Sequence, residues 1–131
     1  MQTFMPYASF AETAKCLDWR RLGNQRNEAR VILKAIKGQS SAWSNHPAVN
    51  MWRGYEAALE AYLAAIISEW IARGYKNSIP IPEPKGVVVP EWVGDEAFHA
   101  SHRSNLLRKD ATWYGKFGWE ELPDLPYVWP R

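Results

Sequence analysis

The chain has few of the features that mark membrane, disulfide-bonded or metal proteins. A single cysteine, Cys16, in 131 residues has no partner for an internal disulfide, and alone it cannot build a Cys-rich zinc site. No apolar run approaches the roughly 20 residues that span a bilayer, and the opening MQTFMPYASF lacks the basic start and apolar stretch of a signal peptide. A cytoplasmic protein with no membrane contact is expected. There is no low-complexity tract, no block of like charge and no internal repeat, so disorder and solenoid folds are set aside. Gly-rich phosphate loops, a Ser-His-Asp order and a nucleophile elbow are all missing, and neither paired cysteines nor an HExxH spacing accompanies the three histidines. No metal and no cofactor are expected, and stability must come from packing.

What the chain has in excess is aromatic rings. Eight Trp, six Tyr and four Phe make 14% of the residues, more than the core of one domain of this length absorbs comfortably, so some should lie on a working surface. The net charge is only +2, but it is unevenly spread. The first 37 residues hold seven cations (Lys15, Arg20, Arg21, Arg26, Arg30, Lys34, Lys37) against three acids (Glu12, Asp18, Glu28). Such a patch would select a polyanion, although a merely solvated face looks the same in sequence.

The length fits one domain, residues 1–131, and the breakers divide it into helices separated by loops. Ser9 or Ala8 opens a first helix through residue 17. A second stretch, 18–37, shows an apolar face at Leu22, Ala29, Leu33 and Ile36 before Gly38 stops it, with Gly23 as a potential break near its start. His46-Pro47 starts what reads as one long helix, with Trp52, Tyr55, Leu59, Tyr62, Ile66 and Trp70 at three- and four-residue spacings as far as Arg73-Gly74. Residues 77–90, NSIPIPEPKGVVVP, hold four prolines and must be an extended loop, with room for a short strand at 87–89. A last helix runs from Asp95 or Glu96 to Lys109, and an irregular aromatic tail follows. The expectation is an all-α fold: a small single-domain helical bundle with a long Pro-rich loop and an irregular C-terminal tail.

On the second stretch Asp18, Arg21, Gln25 and Glu28 follow at three, four and three residues and form one stripe beside the apolar face, with Gln25 turned toward the core. Groups like these at the edge of a core must pair with each other or with a ligand. The stripe is therefore either a structural ion-pair ladder or a pocket wall in which Glu28 is a general base or charge stabiliser and Arg21 holds a phosphate. His99 and His102 are one helical turn apart and can share a ligand, in the fold or, with Arg103, Arg108 and Lys109, at phosphates. Trp113, Tyr114, Lys116, Phe117 and Trp119 mix rings with a base, suited to stacking on nucleobases or to packing on the bundle. With no obvious nucleophile, an inconspicuous candidate is the chain's own α-amine, which keeps a neutral fraction at physiological pH and can form a Schiff base.

The segments SEWIARGYKN and SHRSNLLRKDATWYGKFG resemble the pyrimidine-dimer DNA glycosylase group, the endonuclease V-like family. FMPYASFAETAKCLDWRRLGNQRNEA, NHPAVNMWRGYE, GDEAFHASHRSNLLRKD and LPYVWP are similar, over nearly the whole chain, to a bacterial and phage branch of it. The resemblance implies an all-α fold that binds duplex DNA, flips a nucleotide, cleaves the glycosidic bond of a pyrimidine dimer with an N-terminal amine and nicks the backbone by β-elimination; a monomer is expected. By position, Arg26 matches a DNA-contacting arginine, Trp113, Tyr114 and Lys116 match an aromatic substrate-side segment, and His102 stands at a basic DNA contact. Gln2 stands where the characterised enzymes expose threonine, so the amine is expected at Met1 or Gln2. Leu22 and Gly23 occupy the place of the family's Arg-Glu pair, leaving Glu28 as the nearby carboxylate.

The leading expectation is a glycosylase with abasic-site lyase activity, catalysed by Met1 or Gln2 and Glu28. Its DNA contacts would be Arg21, Gln25, Arg26, His46, His102, Arg103, Lys109, Trp113, Tyr114 and Lys116. Two other readings remain open: a catalytically silent DNA- or lesion-binding module of the same fold, and an enzyme of another class using Asp18, Arg21, Gln25, Glu28 and His46 for a nucleotide or other small ligand.

Overall fold

The computed structural model describes residues 1–40 and 43–130; Ser41, Ala42 and Arg131, the last residue of the expected tail, lie outside them. Among the described residues the fold is all-α, with six helices, a short 3-10 turn and no strand. No helix among them is long and apolar enough to cross a membrane.

Helix α1, Phe10–Cys16, is capped by Ser9, whose hydroxyl accepts the amide of Glu12 at 3.1 Å. Asp18 caps α2, Trp19–Ile36, by accepting from the amide of Arg21. Leu22, Ala29, Ile32 and Leu33 bury the apolar face of α2. Gly23 does not break this helix, contrary to the expectation from sequence. It serves packing instead, because a Cβ there would stand 3.0 Å from the ring of Trp70, so glycine lets that ring lie flush on α2.

The long helix expected from His46 to Gly74 is two helices. His46 accepts the amide of Ala48 and caps α3, Pro47–Asn50. The chain then turns tightly, with three-residue hydrogen bonds from Trp52, Arg53 and Tyr55 and a left-handed Gly54 at φ 83°, before α4, Glu56–Ala72. Apolar spacing concealed the break because Trp52, inside the turn, is as buried as Leu59 and Tyr62 in the helix. Helix α4 packs on α1 and α2. Residues 77–90 are extended without forming a strand, and Val87, Val88 and Val89 are exposed.

Helix α5, Glu96–Lys109, is capped by Asp95. Its polar residues are buried because they hold other segments. Ser101 Oγ accepts the amide of Val128, Ser104 Oγ that of Leu125, and Asn105 Nδ2 donates to the carbonyl of Leu125 at 3.0 Å. These bonds strap the C-terminal tail to the bundle beyond α6, Ala111–Tyr114, and the turn Gly115–Phe117. Cys16 is buried, its thiol pushed up to about 12 chiefly by that burial, and it is inert packing.

The two histidines of α5 do share a ligand, and it is main chain. Met5 donates its amide to Nδ1 of His102 at 2.8 Å, and its carbonyl accepts from Nδ1 of His99 at 2.7 Å. Burial, with His99 adding to it, pushes the His102 ring down to about 3, so the ring stays neutral in the fold. Stability is whole above the ordinary histidine value of 6.5. It falls by about 1.4 kcal/mol per pH unit as acid drives the unfolded chain to take a proton that the folded one refuses. His102→Asn keeps an acceptor for Met5 and should flatten this slope while costing stability at neutral pH. Urea unfolding at pH 7, 6 and 5 measures both; equal slopes for the two proteins would refute the assignment.

Candidate active-site cleft

The site is organised by the start of the chain, which enters the core as an extended segment; Gln2, Thr3, Phe4 and Met5 are all buried. An extended segment in a core needs partners for its peptide groups, and side chains supply them, the Thr3 amide bonding Gln2 Oε1 within the segment and the others reaching in from the surrounding elements. Gln25 of α2 accepts the amide of Phe4 at 3.1 Å and donates to the carbonyl of Gln2 at 3.0 Å. The Tyr62 hydroxyl of α4 lies 2.8 Å from both the Phe4 carbonyl and Gln25 Oε1. Trp52 donates its indole N–H to Thr3 Oγ1 at 2.9 Å, and His99 and His102 clamp Met5.

This threading delivers Met1 to a cleft of about 300 Å³ along α2. Gln2, Arg21, Gln25 and Glu28 line it together with Lys109 from the end of α5. A second depression of about 260 Å³ shares Met1 and Glu28 and continues over Asn27 and Val31 to Trp43. Glu28 is half-buried, and its carboxylate has no hydrogen bond or ion pair among the described residues. Arg21 lies 3.2 Å from Asp18. Burial alone would raise the Asp18 carboxyl, but hydrogen bonds from Tyr114 and Arg21 outweigh it and hold the group below the usual carboxylate range. The stripe thus divides. Its Asp18–Arg21 end is the ion pair that spacing suggested, while Glu28 faces open space.

His46 borders the same place. Its ring stands edge-on to Trp43 and Trp129, both at 5.9 Å, and Trp129 in turn meets Tyr127, a wall of the cleft. Burial and then the nearby N-terminal ammonium lower the His46 pKa, while Glu28 works in the opposite direction. Those opposing effects place the chain's first amine and Glu28 each within electrostatic reach of His46.

Several expected DNA contacts are committed elsewhere. His102 and Tyr114 are fully buried; the Tyr114 hydroxyl donates to Asp18 and accepts its amide, so neither ring meets a ligand directly. Gln25 spends its amide on the first residues of the chain. Arg103 is fastened to the carbonyl of Pro6 and to Glu96 and Glu121, which neutralise it. Arg26 points away from the cleft and stacks on Trp70 at 4.3 Å. Lys116 caps the face of Trp113, whose indole donates to the carbonyl of Cys16, and neither residue lines the cleft. Sequence reasoning missed Asn24, Tyr127 and Trp43. Asn24 was recoverable, three residues after Arg21 and four before Glu28. The other two reach the cleft only through tertiary packing.

An open groove with cations from two different helices, Arg21 and Lys109, and with Met1 and the unpartnered Glu28 on its walls marks a helical domain whose cleft suits an anionic ligand. The chain belongs to the pyrimidine dimer DNA glycosylase family, whose sequence model matches residues 1–82, from Met1 through α4 into the Pro-rich segment. A DNA substrate and a glycosylase-type role in DNA repair come with that membership. No curated protein and no solved structure matches the chain.

Gln25→Ala should destabilise the protein by about 3 kcal/mol, because it orphans the Phe4 amide and the Gln2 carbonyl in the core. Chemical denaturation measures this, and a loss below about 0.5 kcal/mol would show that the clamp does not hold the segment.

Proposed function

We propose that the protein is a DNA glycosylase with abasic-site lyase activity, acting on damaged or modified pyrimidines in duplex DNA through a Schiff base. The nucleophile is the α-amine at Met1, or at Gln2 after methionine removal. The observation that carries this reading is that Met1 and the unpartnered Glu28 line one cleft whose other groups include Arg21 and Lys109.

The neutral amine attacks C1′ of the flipped nucleotide as the glycosidic bond breaks; the base departs with the bonding pair and gains a proton. Ring opening leaves an imine between the chain end and C1′. Loss of a proton from C2′ then expels the 3′ phosphate by β-elimination. Glu28 is suited to stabilise positive charge developing at C1′ and to carry protons, and Arg21 and Lys109 to hold the flanking phosphates. Trp43, 56% exposed in a left-handed backbone at φ 66°, offers an open ring beside Met1 on which a nucleobase can stack.

Borohydride treatment of the tag-free protein with a duplex bearing an abasic site should trap a covalent adduct that peptide mapping assigns to Met1 or Gln2. Salt-sensitive binding without any adduct would overturn the lyase and leave a lesion-binding module of the same fold. Glu28→Gln should slow nicking by at least about 100-fold while changing DNA affinity only a few-fold. Undiminished nicking by that variant would remove Glu28 from catalysis.

A further inference from the structure

The face of α2 turned away from the cleft carries a second concavity, of about 380 Å³, whose lining includes Trp19, Arg20, Arg26 and Trp70 and contains no acid. Its floor is rigid. Trp70 fits against Gly23, where a Cβ would meet its ring at 3.0 Å, meets the tilted ring of Tyr75 with centroids 4.4 Å apart and donates its indole N–H to the carbonyl of Lys76. Arg26 lies over that ring with Nη1 bonded to Asn77 at 2.9 Å, while its buried Nε has no partner. No carboxylate pairs with Arg20 or Arg26 among the described residues.

The wall is different. Trp19 is 54% exposed, with the Arg20 guanidinium 5.5 Å from its ring. A large ring held in water on the first turn of a helix contributes little to the core, and two guanidinium groups without an acidic partner among the described residues, lining the same notch, form a local positive field. This pairing of a stacking face with cations matches one nucleotide, base and phosphate together. The notch is also continuous with the cleft, because Asn24 lines both and Asn27 lines both this notch and the depression beside Met1.

We propose that the Trp19–Trp70 notch is a second nucleotide-binding site. It takes a base on the open face of Trp19 and the adjoining phosphate on Arg20 and Arg26, as a DNA strand leaves the cleft across Asn24 and Asn27. The inference rests on the reading that the cleft holds DNA, and it assigns a function to α2 residues that the catalytic chemistry does not use.

The test uses the full chain and duplexes carrying a stable abasic-site analogue, with 5-iododeoxyuridine placed singly at successive positions on either side. Irradiation should crosslink one flanking position to Trp19, as read by peptide mapping. Trp19→Ala should abolish that crosslink and weaken binding about tenfold, with Trp19→Phe restoring most of the affinity. Arg20→Gln should lower the slope of log K against log salt by about one. Both side chains are exposed, so the variants keep the fold. Unchanged affinity in Trp19→Ala with no crosslink at Trp19, while the borohydride adduct still maps to the chain start, would overturn the notch and leave the cleft. A Trp19 crosslink without any adduct would support the notch and overturn the cleft's lyase chemistry. Absence of salt-sensitive DNA binding would overturn both.

Discussion

Residues 2–6 run extended through the interior, where their peptide groups have no water to bond. An extended segment in a helical core satisfies little of its own main chain, here only the Thr3 amide on Gln2 Oε1 among the bonds described, so the surrounding elements must present side chains to it at fixed places. Gln25, Tyr62, Trp52, His99 and His102 do so, and they come from α2, α4, the turn before α4, and α5. Each bond contributes about 1 kcal/mol net, but losing one strands a buried group at a greater cost, which makes the arrangement cooperative. The same lattice that holds the bundle together fixes the position of the first residue, so the stability of the fold and the placement of Met1 cannot be separated.

Helix α5 shows what this constraint does to sequence. A helix so far inside a bundle would ordinarily bury a stripe of leucines, yet α5 buries His99, Ser101, His102, Ser104 and Asn105. Two of these hold the entering chain and three hold the departing tail. The helix therefore acts as a polar spine between two irregular segments, and burial keeps His102 neutral in that role.

Helix α2 divides its circumference among three duties. One face packs on the core through Leu22, Ala29 and Ile32, the next lines the cleft with Arg21 and Glu28, and the third carries Trp19, Arg20 and Arg26 over Trp70. Gly23 belongs to the third, since its missing side chain lets α4 close against α2 there. The lopsided charge of the first 37 residues is thereby sorted. Asp18 pairs with Arg21 and Tyr114, Glu28 stands alone in the cleft, and Arg20 and Arg26, which have no acidic partner among the described residues, lie with Trp19 and Trp70 in the neighbouring notch.

Local rules were enough for the sequence to determine the helical class, the starts of α1, α2 and α5 at Ser9, Asp18 and Asp95, the extended Pro-rich segment and the side-by-side placement of Arg21, Gln25 and Glu28. A cap acts within three residues and a helical face repeats every three or four, so both are written in neighbouring letters. Tertiary structure alone decided that the helix expected from His46 breaks at Gly54, that Gly23 is a packing contact, and that His102, Tyr114 and Arg103 are spent on internal partners while Trp43 and Tyr127 reach the cleft. The reason is physical. A titratable or aromatic side chain carries the same chemistry on a surface and in a core, and what distinguishes the two is a partner 20 to 100 residues away in the chain, as between Met5 and His102.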